Sequence, residues 1–535
     1  MQKEYRNLAT KRLIVIVVVS AVMLTACNIE ENYIKNIATS NSKNQYQLML
    51  SALGGKNTIR ELAKAQISYK AEGSAYEFQE NPEPISELVS RYHYEISATM
   101  DANRLHQHWL IDNDYAYEIN FNFTEVINYD QGVVLGGPNS FGSYVFGLPT
   151  DPMNATKAAA RQKTWFLSSP LAIVTELTVK DNFTVVYQGH KIHLELDDET
   201  QLPESAETLE FDPMFGDVLY KVKYNNWKPV GETLYPHHVI HMLDGHIIRE
   251  EFLTDVKFDN VAPSLYEFSG ATPNEPDLNK KARGLLLSQY FMRSIMMGFP
   301  FDGIDESVVF SDFIDNENKV LRILGVDHYS YALLIDDKVY IFDAALSNTR
   351  QKAILKEINL QFPGKDIGGV ILSHNHFDHA GGFRGALAQG GNLYIGAGSK
   401  DLYEDLLFRP HTLKPNPLSS RDEVSIIAIE DKITLGEGEE RVDIYTKAEG
   451  HAEELDMLII YHPGNKMLFV GDLFNSGFGG LQSAFPELAP TIKKRAQYLV
   501  DFVDLHSLDV EYVATTHGDV FNDTSYESVE AAASF

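Results

Sequence analysis

Residues 368–382 read GGVILSHNHFDHAGG: a short apolar run, three histidines and an aspartate within six positions, then paired glycines. Few architectures accept this much imidazole at one point. GGVIL has no polar face, as expected of a strand buried on both sides. Alternation in the extended segment after it sends His374 and His376 to one side, and the following turn brings Asp378 and His379 to a neighbouring point. Two imidazoles one residue apart can share a cation, and the adjacent Asp–His pair can hold a second one. Gly381 and Gly382 let the chain turn into the next helix where a β-carbon would crowd the site.

This stretch supplies only part of two coordination shells, because zinc usually takes four ligands, or three plus water at a catalytic centre. The remainder must come from downstream strand ends, and suitable residues are there. His451 follows RVDIYTKA, Asp472 ends KMLFVGDLF after an HPGN turn, and His517 ends VEYVATTHGD. Each lies where α/β sheets build their sites. The surrounding alternation of strands with helical stretches such as NTRQKAILKEINLQF predicts sheets covered by helices.

In order and context these residues resemble the metallo-β-lactamase-fold hydrolases over about residues 300–535. The resemblance implies an αββα sandwich, an α/β fold, preceded here by a mainly antiparallel β domain. It assigns His374, His376 and His451 to a first metal and Asp378, His379 and His517 to a second, with Asp472 bridging. Two zinc ions are the implied cofactor, with iron or manganese as alternatives. Two cations roughly 3.5–4 Å apart would clamp a hydroxide between them, with Asp378 as the catalytic residue that orients it. Asp343, in YALLIDDKVYIFDAA, matches the family's strand-closing aspartate, and His328 falls where relatives bring a loop to the site rim, which makes it either a substrate contact or a structural residue. Glu453 and Glu454 are either partners of His451 or solvated acids. The loop FNSGFGGLQSAFPELAP is either a substrate wall or a packing segment. True β-lactamases of this fold carry Cys or Ser where Asp472 stands, so the resemblance points to an ester, lactone, sulfate ester or phosphoester as the small-molecule substrate. A β-lactam is a lesser alternative.

The N-terminus places this chemistry. Lys3, Arg6, Lys11 and Arg12 precede the apolar run LIVIVVVSAVM, which is short for a bilayer span and suits a secretory signal. The run ends in LTAC, resembling the lipobox of bacterial lipoproteins, in which the cysteine is lipidated. Cys27 is also the sole cysteine of the chain, so any metal is held by nitrogen and oxygen. The expected location is the cell envelope, lipid-anchored to the membrane through Cys27 on the periplasmic face. Asn28 favours the outer membrane if the cell is Gram-negative. A net charge of −30 on 535 residues repels phosphate backbones and argues against nucleic acid as a partner.

The expected divisions are a signal peptide at 1–26, a tether at 27–45, a β domain at 46–268, a linker at 269–300 and the hydrolase domain at 301–535. Between Ala65 and Phe268, segments such as RYHYEISATM and KIHLELD alternate apolar and polar residues with turn clusters between them. Through its closing stretch, WKPVGETLYPHHVIHMLDGHIIREEFLTDVKFDNVAPSLYEF, this half resembles the curved antiparallel sheets of periplasmic lipoprotein carriers and outer-membrane lipoprotein-sorting proteins. That similarity implies the competing reading of a lipid- or lipopeptide-binding lipoprotein in which the metal domain is scaffold. His237, His238 and His241, in YPHHVIH, have no accompanying carboxylate motif and read as a surface or half-buried strand.

Overall fold

The computed structural model describes residues 42–62, 65–76, 90–101, 103–113, 120–136, 150–153, 155–178, 182–259, 261–268, 307–317, 319–325, 328–421, 423–446, 457–475, 489–517 and 524–535. The signal segment, Cys27, most of the expected tether, the linker at 269–300, His451, Glu453, Glu454 and loop positions 476–488 lie outside the described residues. Among the described residues no helix is long and apolar enough to cross a membrane.

The alternating segments before position 268 form one twelve-stranded antiparallel sheet. Its first strand, Gln66–Tyr76, pairs with its last, His246–Asp259, near the middle. One meander runs outward from the first strand through Ser90–Met100, Arg104–Asn113, Asn120–Asn128 and Gln131–Gly136 to Thr150–Met153. The other reaches inward from Thr184–Tyr187 through His190–Leu196, Pro203–Asp212, Gly216–Val230 and Thr233–Leu243. Two-residue turns with positive φ at both positions, Gln188-Gly189 and Asp244-Gly245, match the twist of the strands they join.

Helices Ala155–Ser168 and Pro170–Glu176 connect the two wings, and Phe166, Leu167, Ile173 and Val174 pack into the core of the sheet. Arg161 pairs with both carboxylate oxygens of Glu125 at 2.9 Å, while Lys163 Nζ lies 2.5 Å from Glu210. One helix therefore ties both wings through buried ion pairs. Deleting either partner would strand a buried charge.

The C-terminal part is a sandwich. A seven-stranded sheet is ordered Phe310–Phe313, Val320–Gly325, His328–Ile335, Lys338–Phe342, Asp366–Ile371, Asn392–Gly396 and Ile426–Ile429. It faces a six-stranded sheet of Lys432–Leu435, Val442–Thr446, Leu458–His462, Met467–Phe469, Tyr512–Ala514 and Thr524–Ser525. Leu333, Phe342 and Ile371 of the first share one apolar layer with Ile444, Ile460 and Phe469 of the second. Outside the first sheet, helices Asn348–Gln361, Phe383–Leu387 and Lys400–Phe408 bury Ile354, Phe383 and Leu406. Outside the second, Ala489–His506 and Tyr526–Ser534 do the same with Leu499 and Val529. The layers are αββα, as expected.

The two parts share a core. In the turn after Pro203–Asp212, Asp212 Oδ1 accepts from the amides of Met214 and Phe215 at 2.8 and 2.9 Å. The turn so formed sends Met214, Phe215 and Val218 into the cluster that contains Phe383 and Leu406. Asp217 then accepts from Thr412 N at 2.5 Å and Thr412 Oγ1 at 2.6 Å, and Arg409 Nε donates to Phe215 O at 2.8 Å.

The YPHHVIH segment is more buried than its sequence suggests. His237 and His238 are half-buried, but His241 is fully buried, with Nδ1 at 2.6 Å from the Tyr220 hydroxyl. His238 Nε2 lies 2.6 Å from Glu250.

Candidate metal centre

The strand Asp366–Ile371 delivers the motif to the edge where the two sheets meet. There the Ser373 carbonyl accepts from Leu458 N of the second sheet at 2.7 Å. His374 and His376 follow in extended chain, with ring centroids 4.5 Å apart. A short turn of helix, Phe377–Ala380, then presents Asp378 and His379. Glycine at 381 is required by close approach and not by an unusual dihedral. Its φ is −57°, but a Cβ there would sit 2.1 Å from the Leu346 carbonyl oxygen. Gly471, at φ +52°, bends the chain after Met467–Phe469 and brings Asp472 to the same place. Arg495 Nη1 braces the Asp472 carbonyl at 2.8 Å.

Six of the seven expected ligands converge, in two groups. Ligand atoms of Asp378, His379, Asp472 and His517 lie within 4.8 Å of one another, and so do those of His374, His376 and Asp472. Asp472 belongs to both. Its Oδ1 stands 3.0 Å from His379 Nε2 and 3.0 Å from His517 Nε2, while Oδ2 faces His374 Nε2 at 3.8 Å. His451 lies outside the described residues.

These donors suit a divalent cation. His379 Nε2, Asp378 Oδ1 and Asp472 Oδ1 are buried and make no hydrogen bond among the described residues, though opposite charges surround them. Polar atoms are rarely left so unless another group satisfies them. The set is imidazole and carboxylate throughout, as zinc, iron or manganese accept.

The field is strong. Burial disfavours a protonated His379, yet Asp472, Asp378 and Asp343 outweigh it and hold the imidazole well above its usual range. The same contest at His517, burial against Asp472 and Asp378, pushes it up to about 10. Burial, reinforced by His379 and His376, holds His374 well below its usual range. Burial raises Asp378 and Asp472, but the imidazoles, His379 foremost, keep both well below the carboxylate range.

Residues behind the ligands complete the centre. Asp343, at φ +59° after Lys338–Phe342, is fully buried and accepts from Ser373 N at 2.8 Å, Ser373 Oγ at 3.0 Å and Thr516 Oγ1 at 2.7 Å. It also holds His379 Nδ1 at 2.8 Å. Sequence reading finds Asp343 but misses Ser373 and Thr516, whose hydroxyls carry no signal until three strand ends meet. His328 lies beside Asp378. It is buried, its Nε2 lies 3.2 Å from Asp378 Oδ2, and its backbone bridges to His517.

Residues 324–517 match the model of the metallo-beta-lactamase superfamily. Among solved structures, TMB-1 is 17% identical, covering 42% of this chain and 95% of that one, with a TM-score of 0.31. A metallo-beta-lactamase from Pontibacter korlensis is 15% identical, with 42% and 98% covered and a TM-score of 0.31. DIM-1 metallo-beta-lactamase is 14% identical, with 42% and 95% covered and the same TM-score of 0.31. No curated protein matches the chain.

Proposed function

We propose that this chain, whose residues 324–517 match the model of the metallo-beta-lactamase superfamily, is a dinuclear metal-dependent hydrolase of the cell envelope, acting on an ester, lactone, sulfate ester or phosphoester. The carrying observation is the division of Asp472, one carboxylate oxygen toward each group of ligands. A carboxylate so placed suits two cations and offsets part of their repulsion.

Two zinc ions, when bound, supply Lewis acidity and a hydroxide nucleophile near neutral pH. His374 and His376 with Asp472 would hold one ion; Asp378, His379 and His517 with Asp472 would hold the other. His451 remains the fourth protein ligand of the first group by family resemblance. Asp378 orients the attacking water through its carboxylate, as the superfamily pattern implies. The buried Asp343 fixes His379 through Nδ1 and so directs Nε2 into the centre. The LTAC signal supports anchoring through Cys27 at the periplasmic face. Cys27→Ser should release the chain from membranes.

The test is turnover on a panel of lactones, esters, sulfate esters and phosphodiesters, with Asp378→Ala beside the parent. Hydrolysis abolished in a folded Asp378→Ala variant supports the reading. Full activity in that variant contradicts it.

A further inference from the structure

Asp378 is the residue on which the proposed chemistry turns, and little secures its orientation. It lies in a four-residue helix, Phe377–Ala380. The final torsion of an aspartate is broad and two-fold, so an unsecured carboxylate exchanges its oxygens. Asp378 Oδ1 makes no hydrogen bond among the described residues. Oδ2 faces His517 Nε2 at 3.3 Å and His379 Nε2 at 3.6 Å, both expected to be occupied by the second ion. His328 supplies the remaining contact, Nε2 to Oδ2 at 3.2 Å. A carboxylate only accepts, so Nε2–H donates.

His328 is well placed to act as a fixed point. It opens the strand His328–Ile335 in the first sheet, is 5% exposed, and joins the second sheet where Tyr329 N donates to Thr516 O at 2.8 Å. Its ring meets that of His517 edge-on, with centroids 4.3 Å apart. It is absent from both groups of converging ligand atoms. Donation from outside those groups is how a neighbouring residue orients a metal ligand.

We propose that His328 is the positioning residue of the second metal site, donating from Nε2 to Asp378 Oδ2 and so fixing which carboxylate oxygen faces the metal and the nucleophile. The proposal rests on the dinuclear reading. The ring contact with His517 gives the competing, structural role, and two substitutions separate them. His328→Phe keeps the aromatic packing and removes the donor. His328→Gln removes the ring and keeps an N–H at similar reach.

The experiment is zinc binding by competition with a chromophoric chelator, on the purified chain and both variants, with circular dichroism to compare folding. The parent should bind two ions. His328→Phe should weaken one of them roughly ten- to hundred-fold and spare the other, while His328→Gln retains most of the affinity. Two tight ions in His328→Phe, or loss in His328→Gln with retention in His328→Phe, would assign His328 to packing and overturn the proposal. A parent that binds fewer than two ions would overturn the dinuclear reading, and the proposal with it.

Discussion

Asp343 Oδ2 lies 2.8 Å from His379 Nδ1, just past the strand Lys338–Phe342. The same carboxylate receives Ser373 and Thr516, so one buried side chain joins three strand ends behind the ligands. Asp343→Asn should keep the packing but lose the charge and one acceptor, lowering affinity for the second ion roughly ten- to hundred-fold. Asp343→Ala should also destabilise the fold, by about 3 kcal/mol or more, because several buried donors lose their acceptor. Chelator competition and urea titration read the two effects separately.

The hairpin carrying Met214 contributes to the core of the C-terminal sandwich, and Arg384, five residues beyond His379, donates to the Met214 carbonyl at 3.2 Å. Met214 is fully buried, so Met214→Ala should cost about 2–5 kcal/mol. Because the residue belongs to one part of the chain and its contacts to the other, both parts should respond. In thermal unfolding, the loss should appear in the C-terminal transition. A shift confined to the N-terminal sheet would show that the shared core is not cooperative.

His411 sits where the two parts meet. Burial, aided by Arg384, pushes its imidazole down to about 4. Between pH 4 and the ordinary value near 6.5, the unfolded chain binds a proton that the folded chain does not, so this residue's contribution falls as pH drops through that window. Above pH 6.5 it is constant. The difference in melting temperature between pH 7 and pH 4.5 should therefore be smaller for His411→Gln than for the parent. An unchanged difference would show that His411 titrates normally.

The metal motif is legible in sequence because its chemistry is local: alternation fixes His374 and His376, and one turn fixes Asp378 and His379. The αββα layering is equally legible from the succession of strands and helices. Asp472 and His517 can be found because each ends an apolar strand. What escapes is what distant segments create together. Ser373 and Thr516 gain a role only when Asp343 lies between them. His328 can be placed near the site from sequence, but not its contact with Asp378. In the N-terminal sheet the strands are readable, but the pairing of Gln66–Tyr76 with His246–Asp259 joins the two ends of the domain, and no local pattern marks it. His241 is fully buried, which strand alternation alone cannot register.

The most direct test of the account is metal content by plasma mass spectrometry on the purified chain, beside the double variant His376→Ala/His517→Ala, which takes one ligand from each group. The account predicts close to two zinc ions per chain in the parent and their loss from the folded variant. A folded parent holding one ion or none, or a variant that keeps both, would contradict it.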